Sequence, residues 1–344
     1  MVGMNHLVIG REATDATAPS SGWQMLPVEN LGQHTPIIAN QQPDVMIYGQ
    51  QGPTASGART IERGGTGTIN TYVMSSLMGV LFDATFGLAT VTELSPGQAW
   101  EAVYETSSSL SPVTFSTQVA REFSTSGLDR DTFVGGQVES LVLSQGLAST
   151  SGGTSSDGLA RAVFTNQYRP RASGVGNQLP AYVPPEVFFS NADFLLSMGA
   201  DLGSLSDECL TEWALTIPTG WAETPCISTT GRDAGVRGSL PAPTIAQAFN
   251  YKHRDYYDAW TDGDVLAQRA KWEPTGAVFI APGIKPSVTV DIAAFRFTGE
   301  VPTESNTEPT SQSIPAEVLH NGTDPMIKVT IVTDEIPYEP GSGS

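Results

Sequence analysis

The fold class is decided by three consecutive runs of sequence: TFSTQVAREF (114–123), DRDTFVGGQVESLVLSQG (129–146) and DGLARAVFTNQY (157–168). In the first run Phe115, Val119 and Phe123 fall on one face, whereas Ser116 and Gln118 fall on the other. This alternation is typical of a strand with one packed face. Turn-forming Gly, Ser and Asp separate the runs, and none of them carries a nucleophile–base pair. The stretch therefore predicts a ladder of β-strands and a protein that works by assembling.

Composition supports the same fold class. The 344 residues include 35 Gly and 24 Pro, and only 15% are charged. Such a mixture suits many short strands and turns. We therefore expect a mainly β protein with one or two short helices, built as a β-sandwich or half-barrel. The net charge of −19 is opposite to that of a protein that binds nucleic acid through its phosphates.

Cysteine usage and the N-terminus bear on the compartment. Cys209 and Cys226 are the two cysteines, and the sequence leaves open whether they pair, although buried thiols in a reducing cytoplasm are favoured. The start, MVGMNHLVIGREATD, lacks the basic and apolar regions of a signal peptide. No segment approaches the roughly 18 apolar residues of a membrane span. We expect synthesis in the cytoplasm and no membrane partner.

The order of predicted elements suggests two tandem copies of one module. Each half reads approximately strand, strand, helix, then three strands, and a Pro/Gly-rich connector lies between the halves. The predicted divisions are an N-terminal arm (1–44), a first module (45–170), the connector (171–190), a second module (191–340) and a flexible tail (341–344).

Local patterns predict the individual elements. In the first half we expect strands at 45–48 and 59–63, then a flexible glycine loop at 64–70. A helix over NTYVMSSLMGVLFDATFG (70–87), capped by Asn70 or Thr71, and a long loop or extended hairpin at 92–112 should follow. In the second half we expect strands at 210–217, 244–251, 265–272, 287–297 and 326–333, and a short helix at 255–261.

The chemical motifs are incomplete, so we predict no catalytic, cofactor-binding or metal-binding residue. His253-Arg254-Asp255 resembles a kinase catalytic loop, but Trp260 stands where the metal-binding Asn is needed. The glycines before Asn70 lack both a Walker lysine and the last glycine of a dinucleotide fingerprint. Asp262-Gly-Asp264 lacks the later acidic ligands of an EF-hand. The chain has no G-x-S-x-G elbow, HExxH or CxxC motif.

Two alternatives remain open at this point. An aromatic cluster could form a sugar-binding platform on a β-sandwich, although packing in the core or at an interface is favoured; its members are Tyr251, Tyr256, Tyr257, Trp260 and Trp272. An enzyme with an unfamiliar acidic site could use Asp201, Asp207 and Glu208, although no base or nucleophile is positioned beside them.

Across most of residues 20–335 the sequence resembles the tail tube proteins (major tail proteins) of long-tailed bacteriophages. The segments that carry the resemblance are PSSGWQMLPVENLG (19–32), GTGTINTYVMSSLMGVLFDATFG (65–87), FVGGQVESLVLSQG (133–146), DGLARAVF (157–164), DECLTEWALTIPTG (207–220), NYKHRDYYDAWTDG (250–263), VDIAAFRFTGEVP (290–302) and AEVLHNGTDPMIKVTIVTD (316–334).

The resemblance implies a structural virion protein of a siphovirus tail rather than an enzyme. Its rings would stack into a hollow tube in which strands of neighbouring subunits complete an inner β-barrel, helices lie outside, and DNA passes through during genome ejection without specific binding. The implied partners are further copies of the chain, the tape measure protein, and the tail terminator and tail-tip proteins. A three-fold ring of six modules is favoured over a six-fold ring, and a contractile sheath remains open. We expect carboxylates along the lumen, where they would repel phosphate.

Overall fold

A computed structural model describes residues 6–41, 59–106, 113–123, 127–147, 157–183, 187–222, 236–237, 241–250, 255–299 and 311–335. These residues form mainly antiparallel β-structure with two short helices. The helices are α1 (Gly79–Phe86) and α2 (Asp255–Asp262). The strands of the first half are β1 (His6–Arg11), β2 (Gln24–Met25), β3 (Val28–Asn30), β4 (His34–Gln41), β5 (Arg59–Tyr72), β6 (Thr90–Ser95), β7 (Ala99–Glu105), β8 (Phe115–Phe123), β9 (Gly127–Gly146) and β10 (Arg161–Tyr168). Those of the second half are β11 (Phe194–Gly199), β12 (Ser206–Glu208), β13 (Leu210–Pro218), β14 (Trp221–Ala222), β15 (Val236–Arg237), β16 (Thr244–Asn250), β17 (Leu266–Trp272), β18 (Ser287–Phe297), β19 (Ser311–Val318) and β20 (Ile327–Thr333).

The centre of the fold is an eight-strand sheet in the order β4–β5–β10–β9–β13–β16–β19–β18. The two halves of the chain meet where β9 pairs with β13, from Glu212 opposite Gly146 to Pro218 opposite Ser140. This junction makes one continuous sheet from strands of both halves.

Three further groups of strands branch from the eight-strand sheet. The N-terminal part of β9 pairs with β8, which pairs with β1, and β1 pairs with β2. Likewise β18 pairs with β17, β17 with β11, and β11 with β12. On its other edge β18 pairs with β20. In turn β20 pairs with β7 of the first half, and β7 pairs with β6.

One face of the eight-strand sheet is covered by both helices. On that face alternate residues of β5, β10, β9, β13, β16 and β19 are buried, because the strand period of two sends them into one core. In the first half Phe82 of α1 meets Phe164 edge to face, with ring centroids 6.2 Å apart. In the second half Tyr256 of α2 stacks on Phe249 at 4.4 Å. The opposite face carries no helix among the described residues, and we call it the open face.

The same order of pairings occurs in both halves. In the first half the series β4–β5–β10–β9–β8–β1 is joined by successive antiparallel pairings. In the second half the series β13–β16–β19–β18–β17–β11 is joined in the same way. In each series a helix follows the second strand along the chain: α1 follows β5, and α2 follows β16.

A β-bulge also recurs at the same place in each series. In β9 the register slips between Phe133 and Gly136, opposite Thr117 and Phe115 of β8. In β18 it slips between Ile292 and Phe295, opposite Gln268 and Leu266 of β17. Counted from these bulges, Tyr168 of β10 corresponds to Val318 of β19, and both are buried. Bulges bend strands, and each bulge lies where its strand passes from the branch into the eight-strand sheet.

Several local expectations are confirmed. The predicted runs at 210–217, 287–297 and 326–333 correspond to β13, β18 and β20, and residues 255–261 lie in α2. The described part of 92–112 forms an antiparallel hairpin, because β6 pairs with β7. The predicted strand at 45–48 lies outside the described residues.

The helix predicted over 70–87 is wrong in its first part. Residues up to Tyr72 continue β5, and α1 begins at Gly79. The reason is pairing, since β5 lies between β4 and β10 and buries Ile69 and Thr71 against the core. The glycine loop predicted at 64–70 likewise lies inside β5, where Gly65 and Gly67 leave room for Phe133 and His34.

The expectation that β8 packs on one face is also wrong. Ser116, Thr117 and Gln118 are as fully buried as Phe115 and Val119. The second face is covered by polar contacts, since Ser116 donates to Glu12 and Gln118 donates to the carbonyl of Gly176. Residues 6–41, predicted as an arm, supply β1, β2, β3 and β4.

Candidate functional surface

The open face is a broad surface of short, mostly uncharged side chains. The cross-strand registers set these side chains in rows. One row runs from Asn70 through Val163, Val142 and Thr216 to Thr244. The flanking rows contain Thr68, Thr165, Ser140 and Pro218 on one side and Ser144, Ala214, Ala246 and Pro315 on the other. None of these side chains is buried.

Charged groups on this face are of two kinds, ion pairs toward its ends and two exposed carboxylates on the central strands. Arg296 and Glu317 lie opposite each other at the β18 end, 3.9 Å apart. Arg161 donates to Glu29 at 2.6 Å and to Asp157 at 3.0 Å. Glu139 and Glu212 are exposed beside the β9–β13 junction. Between these groups the surface offers hydroxyls, methyl groups and backbone rather than fixed charge.

The bulge in β9 is held by a buried carboxylate. Glu12 accepts hydrogen bonds from Ser116 at 2.6 Å, from the backbone N–H of Gly135 at 2.8 Å and from that of Ala16 at 2.9 Å. Burial raises the pKa of Glu12, and these hydrogen bonds oppose the increase. Gly135 has φ +61°, which glycine adopts without steric cost. The contacts fix the point where β9 leaves β8.

A partly buried carboxylate just after β20 holds the segment that leads into α1. Glu335 accepts from the backbone N–H of Leu77 at 2.6 Å and also from Gln24. Arg11 lies 3.2 Å from Asp83 of α1. Burial raises the pKa of Asp83 to about 7, and Arg11 opposes the increase. These contacts hold α1 against β1 and the end of the chain, away from the open face.

The five aromatic residues expected to cluster do not form one platform. Trp272 is fully buried, with its ring centroid 5.6 Å from that of Trp213, and it donates to Gln145. Tyr256 packs on Phe249 of the core, while Tyr257 and Trp260 meet edge to face on α2. Tyr251 lies outside the described residues. The arrangement is that of core packing in two separate places.

The acidic residues considered for an unfamiliar active site are engaged separately. Asp201 accepts from the backbone N–H of Gly203, Asp207 accepts from Ser197, and Glu208 accepts from Tyr256. These contacts belong to a local turn, to the β11–β12 pairing and to the attachment of α2, and the three carboxylates share no partner among the described contacts.

The other sequence motifs are placed as follows. Gly64 to Asn70 lie within β5, and Asp262 to Asp264 form the end of α2 and the turn after it. His253 and Arg254 lie outside the described residues, as does Cys226, whereas Cys209 is exposed. Within the described ranges, no group of three or more His, Cys, Asp or Glu side chains could hold a metal ion.

The eight-strand sheet was not visible in the sequence. The strands β5, β9, β10, β13 and β16 each alternate, but nothing in their patterns reports that β9 and β13 are neighbours. Neither helix of the described segments is long and apolar enough to cross a membrane. Comparison with protein-family models and with curated proteins finds no match to this chain.

Proposed function

We propose that the chain is the ring-forming subunit of a bacteriophage-type tail tube, and that the open face of its eight-strand sheet lines the bore. The observation that carries the proposal is this sheet. It is broad, it has helices on one face, and short polar side chains cover the other face. It is also built from two four-strand halves with the same pairing order and the same bulge.

The repeated order supports a tandem duplication of one module. Two halves without such an origin would have no reason to share five successive pairings and the position of a bulge. Two modules in one chain favour a ring of three chains. In such a ring the β9–β13 junction would be one of two equivalent junctions between modules, the second lying between chains.

The composition of the open face bears on the expected mode of DNA passage. We expected carboxylates along the lumen, and the two central strands of this face carry two exposed ones, Glu139 and Glu212, among short neutral side chains such as Thr216. Tight phosphate binding by proteins depends on Lys and Arg, which release counterions. Arg161 and Arg296 on this face are held in ion pairs, so the described lining offers a polyanion little to hold and DNA can slide through.

The first test is assembly. Purified chain at high concentration should form rings or tubes with a central hole by negative-stain electron microscopy. A chain that remains monomeric by light scattering under every nucleating condition, including mixture with tail-tip proteins, would contradict the proposal.

A second test addresses the bore. Thr216→Lys places a cation at the centre of the open face, whereas Thr261→Lys places one on the exposed surface of α2. Assembled Thr216→Lys tubes should retain DNA that is protected from nuclease, with a steep salt dependence. Thr261→Lys tubes should leave any bound DNA accessible to nuclease. Equal protection in both variants would place the open face outside the bore.

A further inference from the structure

The eight-strand sheet has two outer edges, one formed by β4 and the other by the end of β18. The strands that correspond to them within the chain, β13 and β9, pair with each other. At one end β4 pairs with β5, and no second partner for β4 occurs among the described residues. At the other end β18 pairs with β17 as far as Phe295 opposite Leu266, and beyond that point Arg296 and Phe297 are paired with β19 alone in the described part of the chain.

The repeated pairing order shows which strand inside the chain corresponds to each of the two edge strands. By pairing order β4 corresponds to β13, and β18 corresponds to β9. The strands β9 and β13 are hydrogen-bonded to each other, and β13 joins β9 just after its bulge. The free edge of β18 also begins just after its bulge.

From this correspondence we propose that β4 of one chain pairs antiparallel with the end of β18 of a second copy, reproducing the β9–β13 junction between chains. The contact is head-to-tail, because two different edges meet, and such a contact forms a ring when the rotation between neighbouring chains closes. The inference rests on the proposed function and specifies the surface by which its rings form. An exposed edge offers unpaired N–H and C=O groups, so a strand of another copy is the chemistry it fits.

The described residues set one point of the register. Inside the chain the backbone N–H of Thr219 donates to the carbonyl of Glu139 at 3.0 Å. Counting from the aligned pairs, Thr219 corresponds to Ile38 and Glu139 corresponds to Thr298. Ile38 is 52% exposed and Thr298 is also exposed in the single chain. Pro36 corresponds to Ile217 and carries no backbone N–H, so the proposed junction would contain one hydrogen bond fewer at that point than the internal junction.

Disulfide trapping tests the pairing. Residues on neighbouring antiparallel strands have Cα atoms about 4.5–5.5 Å apart, within the range that a disulfide bridges. In a background with Cys209→Ser and Cys226→Ser, the variant carrying both Ile38→Cys and Thr298→Cys should shift from monomer to dimer and trimer bands on a non-reducing gel after mild oxidation. The control combines Thr298→Cys with Thr92→Cys, because Thr92 is an exposed residue on another edge strand, β6, and it should remain monomeric.

Mixing single-cysteine chains tests the polarity. Chains with Ile38→Cys alone and chains with Thr298→Cys alone should cross-link when mixed but not separately. Self-cross-linking of the Ile38→Cys chain would show a symmetric contact and overturn the inference. Rings seen by microscopy with no trapping above the control would overturn this junction while leaving the proposed function standing. Absence of rings in the wild-type chain would count against both.

Discussion

Adding one methyl group at the β9 bulge, by the substitution Gly135→Ala, should destabilise the fold. Gly135 has φ +61° and lies where β9 leaves β8 for the eight-strand sheet. For an L-residue the left-handed region costs about 1–2 kcal/mol. The Cβ of Gly135→Ala would also lie 2.6 Å from Cγ of Arg169. That side chain can move, at the expense of its ion pair with Asp15, which adds about 0.5 kcal/mol.

We therefore expect Gly135→Ala to lower the free energy of unfolding by about 1.5–2.5 kcal/mol. The assay is equilibrium urea unfolding of dilute, unassembled chain, followed by circular dichroism. Gly146→Ala on the same strand is the matched control, since no atom lies within 4 Å of its Cβ, and it should be neutral or slightly stabilising. If the two variants differ by less than about 0.5 kcal/mol, which is the usual range of surface substitutions, the left-handed bulge is not needed for the path of β9.

Three further predictions concern buried groups. Burial raises the pKa of Asp83 from 3.8 to about 7, so between these pH values the folded chain holds a proton that the unfolded chain releases. The free energy of unfolding should therefore fall as pH rises from about 4 to about 7. Asp83→Asn should remove this pH dependence in urea titrations. Burial lowers the pKa of His34 from 6.5 to about 4, so the unfolded chain takes up a proton in this range that the folded chain does not. The free energy of unfolding should therefore fall as pH drops from about 6.5 to about 4. His34→Gln should remove this pH dependence, and an unchanged pH profile would refute the shifted pKa of His34. Gly299→Ala would put its Cβ 2.0 Å from Cε2 of Trp260 at φ +68°, so we expect a loss of at least about 1–2 kcal/mol and a change in tryptophan fluorescence that is absent in a Trp260→Phe background.

The sequence predicted the strands whose two faces differ. In β13, β18 and β20 buried and more exposed residues alternate, so local pattern and final burial agree. It did not predict β1, because this strand is buried on both faces between His6 and Gly10 and so lacks alternation. It also missed β19, whose SQSIPAEV sequence has few large apolar residues and is held in place by β16 and β18.

The repeat could be inferred only from the order of elements. Equivalent positions carry unlike side chains, such as Gly67 and Ile245 on the buried face, or Tyr168 and Val318. Each half adjusts its packing separately, because Gly67 makes room for the His34 ring while Ile245 fills the same place in the other half. Pairing order and bulge position are preserved where side-chain identity is not.

The open face could not be predicted from the sequence, because it is formed by strands that are far apart along the chain. Its residues are ordinary Thr, Ser, Ala and Val, which would not be selected as a site by type. Their significance arises from long-range pairing of β9 with β13, which brings residues 140–146 beside residues 212–218. Net charge does not say which side chains this sheet presents, and its central strands combine short neutral residues with exposed Glu139 and Glu212.

A three-dimensional reconstruction of the assembled tube would show which face of the eight-strand sheet lines the bore. We expect rings of three chains in which Val142 and Thr216 face the bore, α1 and α2 face outward, and β4 of each chain lies beside β18 of its neighbour. A reconstruction in which the helices line the bore, or in which the open face is buried against another chain, would contradict it.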